Sequence, residues 1–174
     1  MLFHFSENPD ITSFRPRQKS NRMDMHPVVW AVDPEHQYGF YCPRNCPRIV
    51  ISRDETADAE LMQTYFAYTS AKMIIAMEQA WYERIRSTPI YRYTFDPDGF
   101  QLFDAIAGYY ISEHEVIPQQ VERIDDPIQQ LCGKEIGIEL RFVPSLHPLR
   151  QSILTSGWKD FSIHRFEYAA PYQR

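Results

Sequence analysis

The chain has 174 residues, of which 44% are hydrophobic and 24% are charged, and its formal net charge is −5. This length and composition are typical of one globular domain with a substantial core, which disfavours a disordered protein. The negative charge disfavours a protein that grips nucleic acid through its phosphates, because such domains are usually basic. We therefore predict a single domain over residues 1–174 without a nucleic-acid partner.

The start of the chain and the cysteine content bear on the compartment. The sequence opens directly on a strand-like stretch, without a basic and apolar leader, and no spanning-length apolar run follows. Its cysteines, Cys42, Cys46 and Cys132, are odd in number, which disfavours a disulfide framework. We expect a cytoplasmic protein with reduced thiols and no membrane partner.

Hydrophobic periodicity and turn residues predict the elements in chain order. Strands are predicted at 2–6, 28–33, 48–52, 90–95, 106–112, 120–124, 138–143 and 161–168. One long helix is predicted at about 70–85, where Ile74, Met77 and Trp81 recur at three-to-four spacing behind a Thr69 or Ser70 cap. Shorter helical segments are predicted after Pro34, at about 128–132 and at 148–154.

The order of these elements indicates the fold class. Strands and helices do not alternate regularly, which favours an α+β fold over a doubly wound parallel sheet. The 6 glycines form neither a GxGxxG nor a GxxxxGK[ST] motif. A dinucleotide fold of the common kind and a P-loop nucleotidase are therefore disfavoured, so a bound nucleotide would have to be held in another way.

The first candidate site residues lie on the first predicted strand. Strand alternation places Phe3 and Phe5 on one face and His4 and Ser6 on the other. If the phenylalanine face is the core, His4 and Ser6 point outward, where an imidazole and a hydroxyl can bind ligand hydroxyls and amides. The alternative is a structural histidine bonded to a neighbouring backbone group.

Aromatic residues follow the second predicted strand. Trp30 lies on that strand, and Tyr38 and Tyr41 come three residues apart in the short helical segment after it. On a helix the two tyrosines share a face, where flat rings can stack on a planar ligand. The alternative is ordinary packing of these rings on the sheet.

Two carboxylates close the strand predicted at 106–112. Glu113 and Glu115 would share a side if the strand continued through them. Carboxylates in such a position can orient sugar hydroxyls and stabilise an oxocarbenium-like centre. The alternative is a pair of solvated charges at a strand end.

Basic residues and cysteines form two further clusters. Arg15, Arg17, Lys19 and Arg22 lie in a polar segment that is either a solvated loop or a phosphate contact. Cys42 and Cys46 are spaced as CPRNC, but a structural zinc site normally needs four ligands in paired short spacings, and the sequence has no second pair. We therefore predict no metal.

Three of these stretches, in order, resemble the ADP-ribosyltransferase-like superfamily over about the first two thirds of the chain, through to Ile124. The stretches are LFHFS at 2–6 with Ile11 and Phe14, VWAVD at 29–33 with the aromatic segment after it, and YISE at 110–113 with Val116 and Pro118. The sequence is also similar to a family of short uncharacterised bacterial proteins. The superfamily resemblance implies an α+β domain with a mixed, mainly antiparallel split sheet.

The resemblance also implies NAD as the ligand and substrate, with cleavage of its nicotinamide glycosidic bond and an acceptor that is unknown. It implies that His4, with Ser6, contacts the ribose and that Tyr38 or Tyr41 stacks on nicotinamide. Trp30 would help wall the pocket, and Arg15 and Arg17 would meet the pyrophosphate. Glu113 would assist cleavage, and Glu115 competes with it for that role.

Two alternatives stay open beside the transferase. A non-catalytic binding or interaction module could keep the cleft and lack the chemistry. An RNA 2′-phosphotransferase-like enzyme would use NAD as phosphate acceptor, but its need for basic residues fits poorly with a net charge of −5.

Overall fold

The computed structural model describes residues 1–19, 23–133 and 137–172. The chain divides into two compact units, one formed by Met1–Tyr41 and Pro89–Asp125 and the other by Cys42–Thr88 and Asp126–Arg174. Both units combine a sheet with helical segments, and their strand pairs are mainly antiparallel. The predicted α+β class with a mainly antiparallel sheet is therefore confirmed. A single domain over 1–174 stays a prediction.

The strands of the described residues are, in chain order, β1 (Leu2–Ser6), β2 (Val29–Val32), β3 (Arg48–Ser52), β4 (Met73–Glu78), β5 (Ile90–Phe95), β6 (Gln101–Asp104), β7 (Tyr109–Ser112), β8 (Gln120–Ile124), β9 (Ile138–Val143) and β10 (Phe161–His164). The α-helices are α1 (Ala59–Phe66), α2 (Tyr82–Ser87), α3 (Pro127–Leu131) and α4 (His147–Ser156), and short 3-10 helices span Gln37–Phe40, Gln79–Trp81 and Phe166–Tyr168. Within the described residues, no helix has both the length and the apolar character needed to cross a membrane.

The first unit is built on a six-stranded sheet in the order β6-β7-β2-β1-β5-β8, with every neighbouring pair antiparallel. Residues directly opposite each other in such a pair project from the same face. His4 lies opposite Tyr93, whereas Phe5 lies opposite Arg92. We name the two sides of this sheet the His4 face and the Phe5 face.

The second unit is built on a four-stranded sheet in the order β10-β3-β4-β9, in which β4 and β9 run parallel and the other pairs antiparallel. One face of this sheet packs against α1 and α4. The buried residues of this core are Ile49, Ile51, Tyr65, Phe66, Ile74, Ala76, Leu146, Ile153 and Trp158. Central strand β4 is buried at all six positions, so it is covered on both of its faces.

The predicted long helix at 70–85 is wrong. Residues 73–78 form β4, and the 3-10 helix Gln79–Trp81 and short helix α2 follow. A strand buried on both faces is apolar without alternation, and such a run cannot be told from a buried helix by periodicity. The longest helix of the described part is α4, with 10 residues.

Other boundaries agree more closely with the sequence. The predicted strands at 2–6, 48–52, 90–95, 120–124 and 138–143 are confirmed with the same bounds. The strand predicted at 106–112 begins only at Tyr109, and the one predicted at 161–168 ends at His164 before a 3-10 turn. Helix α1 and edge strand β6 were not predicted from the sequence. For α1 a signal was present, because the Asp58 carboxylate is an N-cap that accepts a hydrogen bond from Leu61 N.

Candidate functional site

The N-terminal segment after β1 folds back over the His4 face. Phe14 and Val116 exchange two backbone hydrogen bonds, of 2.8 and 2.9 Å. The Tyr93 hydroxyl donates to the Asn8 carbonyl at 2.6 Å and accepts from the Ile11 amide at 3.2 Å. Ile11 and Phe14 pack on a small buried core of Leu2, Ala31, Tyr93 and Phe95. The His4 face is therefore an interior surface in this part of the sheet.

His4 is held inside this covered layer. Its Nδ1 lies 2.9 Å from the Trp30 carbonyl oxygen, so Nδ1 carries the proton and donates. Its ring packs against Phe14 with centroids 4.8 Å apart. Burial lowers the pKa of His4 and outweighs the Trp30 hydrogen bond, which acts in the opposite direction. The half-buried His4 agrees with the alternative of a structural histidine bonded to a backbone group, because it bonds to Trp30 and the segment carrying Phe14 packs over it. Ser6 lies at the strand end, where its Oγ accepts from the Asn8 amide at 3.1 Å.

The Phe5 face carries a continuous row of aromatic rings. Successive ring centroids along it are between 5.1 and 6.1 Å apart. In order, the rings of this aromatic row belong to Phe103, Trp30, Tyr109, Phe40, Phe5, Tyr41 and Tyr38. Phe103 is exposed and Tyr41 is buried, while the rings between them and Tyr38 are half-buried. The row thus presents accessible ring surface along one face of the first unit.

One end of the aromatic row meets a polar cluster. Arg92 Nη1 donates to Gln37 Oε1 at 2.8 Å and to the Tyr41 hydroxyl at 3.3 Å, and Arg92 Nη2 pairs with Glu122. Burial raises the pKa of Tyr41, although the positive charge of Arg92 opposes this effect. Within the described residues, Arg92 Nε is buried without a hydrogen-bond partner. The cluster fixes Tyr41 and orients the Tyr38 ring, which lies 5.6 Å from it.

The other end of the aromatic row carries a cation. The Lys19 ammonium lies 3.7 Å from the centroid of the Trp30 ring, within the range of a cation–π interaction. Arg17, two residues earlier, forms a backbone bridge with Val28. Part of the predicted basic segment is therefore attached to the residue before β2 and lies beside Trp30. Arg22 lies outside the described residues.

Glu113 lies near this end of the Phe5 face, where Ile111 stands opposite Trp30. Its Oε1 is 2.8 Å from His26 Nε2, and both side chains are exposed. Glu113 lines a cavity of about 60 Å³ together with Gly99, Gln101, Ile111 and His114. Ligand pockets for drug-sized molecules span about 300–1,000 Å³. This cavity can therefore hold a small part of a nucleotide but not the whole of one.

Glu115 has different partners from Glu113. Its Oε1 accepts from Arg15 Nε at 3.2 Å. Hydrogen bonds from Ser13 and Arg15 lower its pKa. Strand β7 ends at Ser112, so the condition under which the two glutamates would share a side is not met. Glu115 and Arg15 instead join the N-terminal segment to the chain after β7.

The structure thus sorts the predicted site residues into separate places. Trp30, Tyr38 and Tyr41 belong to the aromatic row, and Glu113 lies near one end of it, while His4 lies on the opposite face. Sequence reasoning missed Phe5, Phe40, Phe103, Tyr109 and Arg92. Arg92 is the one charged residue of strand β5, whose other residues are apolar or aromatic apart from Thr94, and this was the available signal for it.

Comparison with known proteins identifies the family. A family of unknown function, DUF6886, matches residues 3–169, so the chain belongs to it. No curated protein and no solved structure matches the chain.

Proposed function

For this member of the DUF6886 family we propose the function of a ligand-binding module that holds a nucleotide with a planar ring, NAD being the ligand to test, and does not cleave it. The observation that carries the proposal is the aromatic row on the Phe5 face. The choice of NAD rests on the resemblance of the motif order to the ADP-ribosyltransferase-like superfamily and on the fold which that resemblance implies.

The aromatic row has the properties that binding of a planar ring requires. Its half-buried rings offer π-faces, and those of Phe5, Trp30 and Tyr109 are held in place by the strands of the sheet. Stacking of one base on an aromatic side chain contributes about 1–3 kcal/mol. Lys19 over Trp30 brings a positive charge to one end, which suits a phosphate. A ring stacked on the row can therefore place its phosphates toward Lys19.

The position of His4 argues against cleavage. The resemblance gives the first-strand histidine the task of holding the nicotinamide-side ribose, which is bonded directly to the nicotinamide that the aromatic rings would flank. Here His4 donates to the Trp30 carbonyl beneath Phe14, while Tyr38 and Tyr41 belong to the Phe5 face. One ribose cannot contact both without passing through the sheet. Binding on the aromatic row is consequently separated from the residue that would orient the ribose.

A second candidate, NAD cleavage, is favoured by Glu113. Its carboxylate is exposed, borders the small cavity and lies 2.8 Å from the His26 imidazole. In this mechanism the bond between ribose C1′ and the nicotinamide nitrogen breaks, and nicotinamide leaves with the electron pair. Glu113 accepts a hydrogen bond from the ribose 2′-hydroxyl and stabilises the positive charge on the ribose, which an acceptor then attacks at C1′.

NAD titration distinguishes three cases: NAD is bound without cleavage, NAD is cleaved, or NAD is not bound. We expect NAD to raise the melting temperature of the full chain, because a ligand that binds the native state stabilises it. We also expect no free nicotinamide after long incubation. If the wild type releases nicotinamide and Glu113→Gln does not, the protein cleaves NAD and the proposal of binding without cleavage is wrong. No stabilisation by millimolar NAD would overturn both.

A further inference from the structure

Three sulfur atoms converge on one face of the four-stranded sheet in the second unit. Cys42 Sγ lies 3.6 Å from Met77 Sδ. Cys46 Sγ lies 3.7 Å from the Pro47 carbonyl oxygen in the turn after Cys42, and the hydrogen bond of the Cys46 side chain to Cys42 lowers the pKa of the Cys42 thiol. Cys46 and Met77 are fully buried, and Cys42 is 8% exposed. The donors therefore form a compact set with one member nearest the surface.

Local structure fixes each donor. Met77 belongs to β4, which is paired on both sides. The two cysteines flank a tight turn in which Cys46 N bonds to Pro43 O at 3.1 Å and Asn45 adopts a left-handed φ of 67°. The turn brings both thiols to the same side of the chain. This explains how an i, i+4 cysteine pair can converge outside a helix.

A buried cation accompanies the sulfur atoms. Arg48 lies directly opposite Met77 across the β3–β4 pair and is 6% exposed. Its Nη1 donates to the Cys46 carbonyl at 2.9 Å. A monovalent metal ion bound by two thiolates carries a net charge of −1, which is costly to bury alone. The guanidinium supplies the opposite charge close to this position.

From this arrangement we propose that Cys42, Cys46 and Met77 form a binding site for Cu(I). Soft sulfur ligands such as thiolates and thioethers favour Cu(I), zinc and iron–sulfur clusters, and a set of two thiolates and one thioether suits Cu(I) best among these. Metal–sulfur bonds of about 2.3 Å in a trigonal site hold the sulfur atoms about 4 Å apart. The 3.6 Å between Cys42 Sγ and Met77 Sδ is close to this spacing. On binding, each thiol loses its proton to solvent and the sulfur lone pair forms the metal bond.

The same donors disfavour zinc. Structural zinc takes four ligands, chiefly cysteine and histidine. Within the described parts of the chain, no group of three or more His, Cys, Asp or Glu side chains is placed to hold a metal. Cu(I) binds stably to two or three sulfur ligands. The lack of a second ligand pair, which disfavours zinc, therefore does not disfavour Cu(I).

The test is a Cu(I) titration of the reduced full chain under anaerobic conditions, in competition with a chromophoric Cu(I) chelator. We expect one Cu(I) per chain, which equimolar Zn(II) does not displace. Cys42→Ser and Cys46→Ser should each weaken Cu(I) binding by more than about 100-fold. This exceeds the loss of about 10- to 100-fold that is typical when a residue hydrogen-bonded to a metal ligand is removed. Met77→Leu should weaken it by about 10- to 100-fold.

Matched controls lie in the same unit. Cys132 is an exposed thiol, and Met73 precedes Met77 by four residues on the same strand and face. Cys132→Ser and Met73→Leu should leave affinity unchanged. X-ray absorption of the wild-type complex, which does not depend on whether variants fold, should show sulfur ligands alone at about 2.3 Å. Nitrogen or oxygen ligands, loss of binding in Cys132→Ser, or unchanged binding in Cys42→Ser would overturn the site.

Discussion

His4 and Phe5 are neighbours on β1, yet their side chains serve opposite faces of the six-stranded sheet. The His4 ring packs on Phe14 with centroids 4.8 Å apart, and the Phe5 ring meets Tyr41 edge-on at 5.2 Å. The first contact closes an interior layer, and the second belongs to the aromatic row. This division underlies the proposal that the protein binds a planar ligand on one face without using His4.

The covered His4 makes stability depend on pH. Burial lowers the pKa of His4 in the folded state. At acidic pH the unfolded chain therefore binds more protons at this residue than the folded chain does. The free energy of unfolding should therefore fall as pH drops below about 6.5, with a loss from this group of at most about 1.4 kcal/mol between pH 7.5 and 5.5.

His4→Asn tests this linkage, because an Asn amide can still donate to the Trp30 carbonyl but does not titrate. Urea unfolding of both proteins should show a smaller difference between pH 7.5 and 5.5 in the variant. Equal pH dependence in the two proteins would show that the imidazole is not buried in its neutral form.

The Tyr93 hydroxyl attaches the N-terminal segment to the His4 face. Tyr93→Phe removes its bonds to Asn8 and Ile11, so we expect the free energy of unfolding to fall by about 1–3 kcal/mol. Amide hydrogen exchange at Ile11 should become faster. Tyr91→Phe, on the same strand and face, is the control and should cost less than about 0.5 kcal/mol. Equal losses in the two variants would contradict this role.

Position 108 requires glycine for two reasons: its backbone has a positive φ, and the side chains of His36 and Asp33 leave no room for a Cβ. Its φ is +65°, and a Cβ there would lie 2.3 Å from His36 Nδ1 and 2.7 Å from Asp33 Oδ2. Gly99 also has a positive φ, of +84°, but a Cβ there meets nothing within 4 Å.

Gly99→Ala should therefore cost only the left-handed strain, about 1–2 kcal/mol. Gly108→Ala should cost about 1–3 kcal/mol more, because it also displaces the Asp33–His36 pair. Thermal or urea unfolding of the two variants measures the difference. Similar stability losses would mean that the close approach is not present in solution.

Tyr38 tests the contribution of the aromatic row to binding. Stacking of one ring contributes about 1–3 kcal/mol, so Tyr38→Ala should weaken NAD binding by about 5- to 150-fold. Tyr82, which packs edge-on against Phe142 in the second unit, is the matched control. Calorimetric titration should give the wild-type dissociation constant for Tyr82→Ala. An unchanged constant in Tyr38→Ala would remove this ring from the site.

Some elements were readable from sequence because local pattern and tertiary environment agree. Strand β1 alternates, and Pro127 and Pro148 lie in the first turns of α3 and α4. Strand β4 was not readable as a strand, because burial on both faces removes the alternation that distinguishes it from a helix.

The candidate site shows the same division. The contact between Tyr38 and Tyr41 followed from their spacing. The cover over His4 did not, because Phe14 reaches it only after the chain folds back, and a strand pattern does not show which face a distant segment covers. Membership of Phe103 and Tyr109 in the aromatic row likewise depends on strand register, which pairs β7 with β2 and β6.

Binding of NAD without cleavage is tested most directly by one NAD incubation of the wild-type chain, Trp30→Phe and Trp30→Ala. Two quantities are measured in each sample, the melting temperature and the amount of free nicotinamide. We expect NAD to stabilise the wild type, Trp30→Phe to keep most of this effect and Trp30→Ala to lose it, with no release of nicotinamide from any sample. Nicotinamide release by the wild type, or equal stabilisation of the wild type and Trp30→Ala, would contradict this expectation.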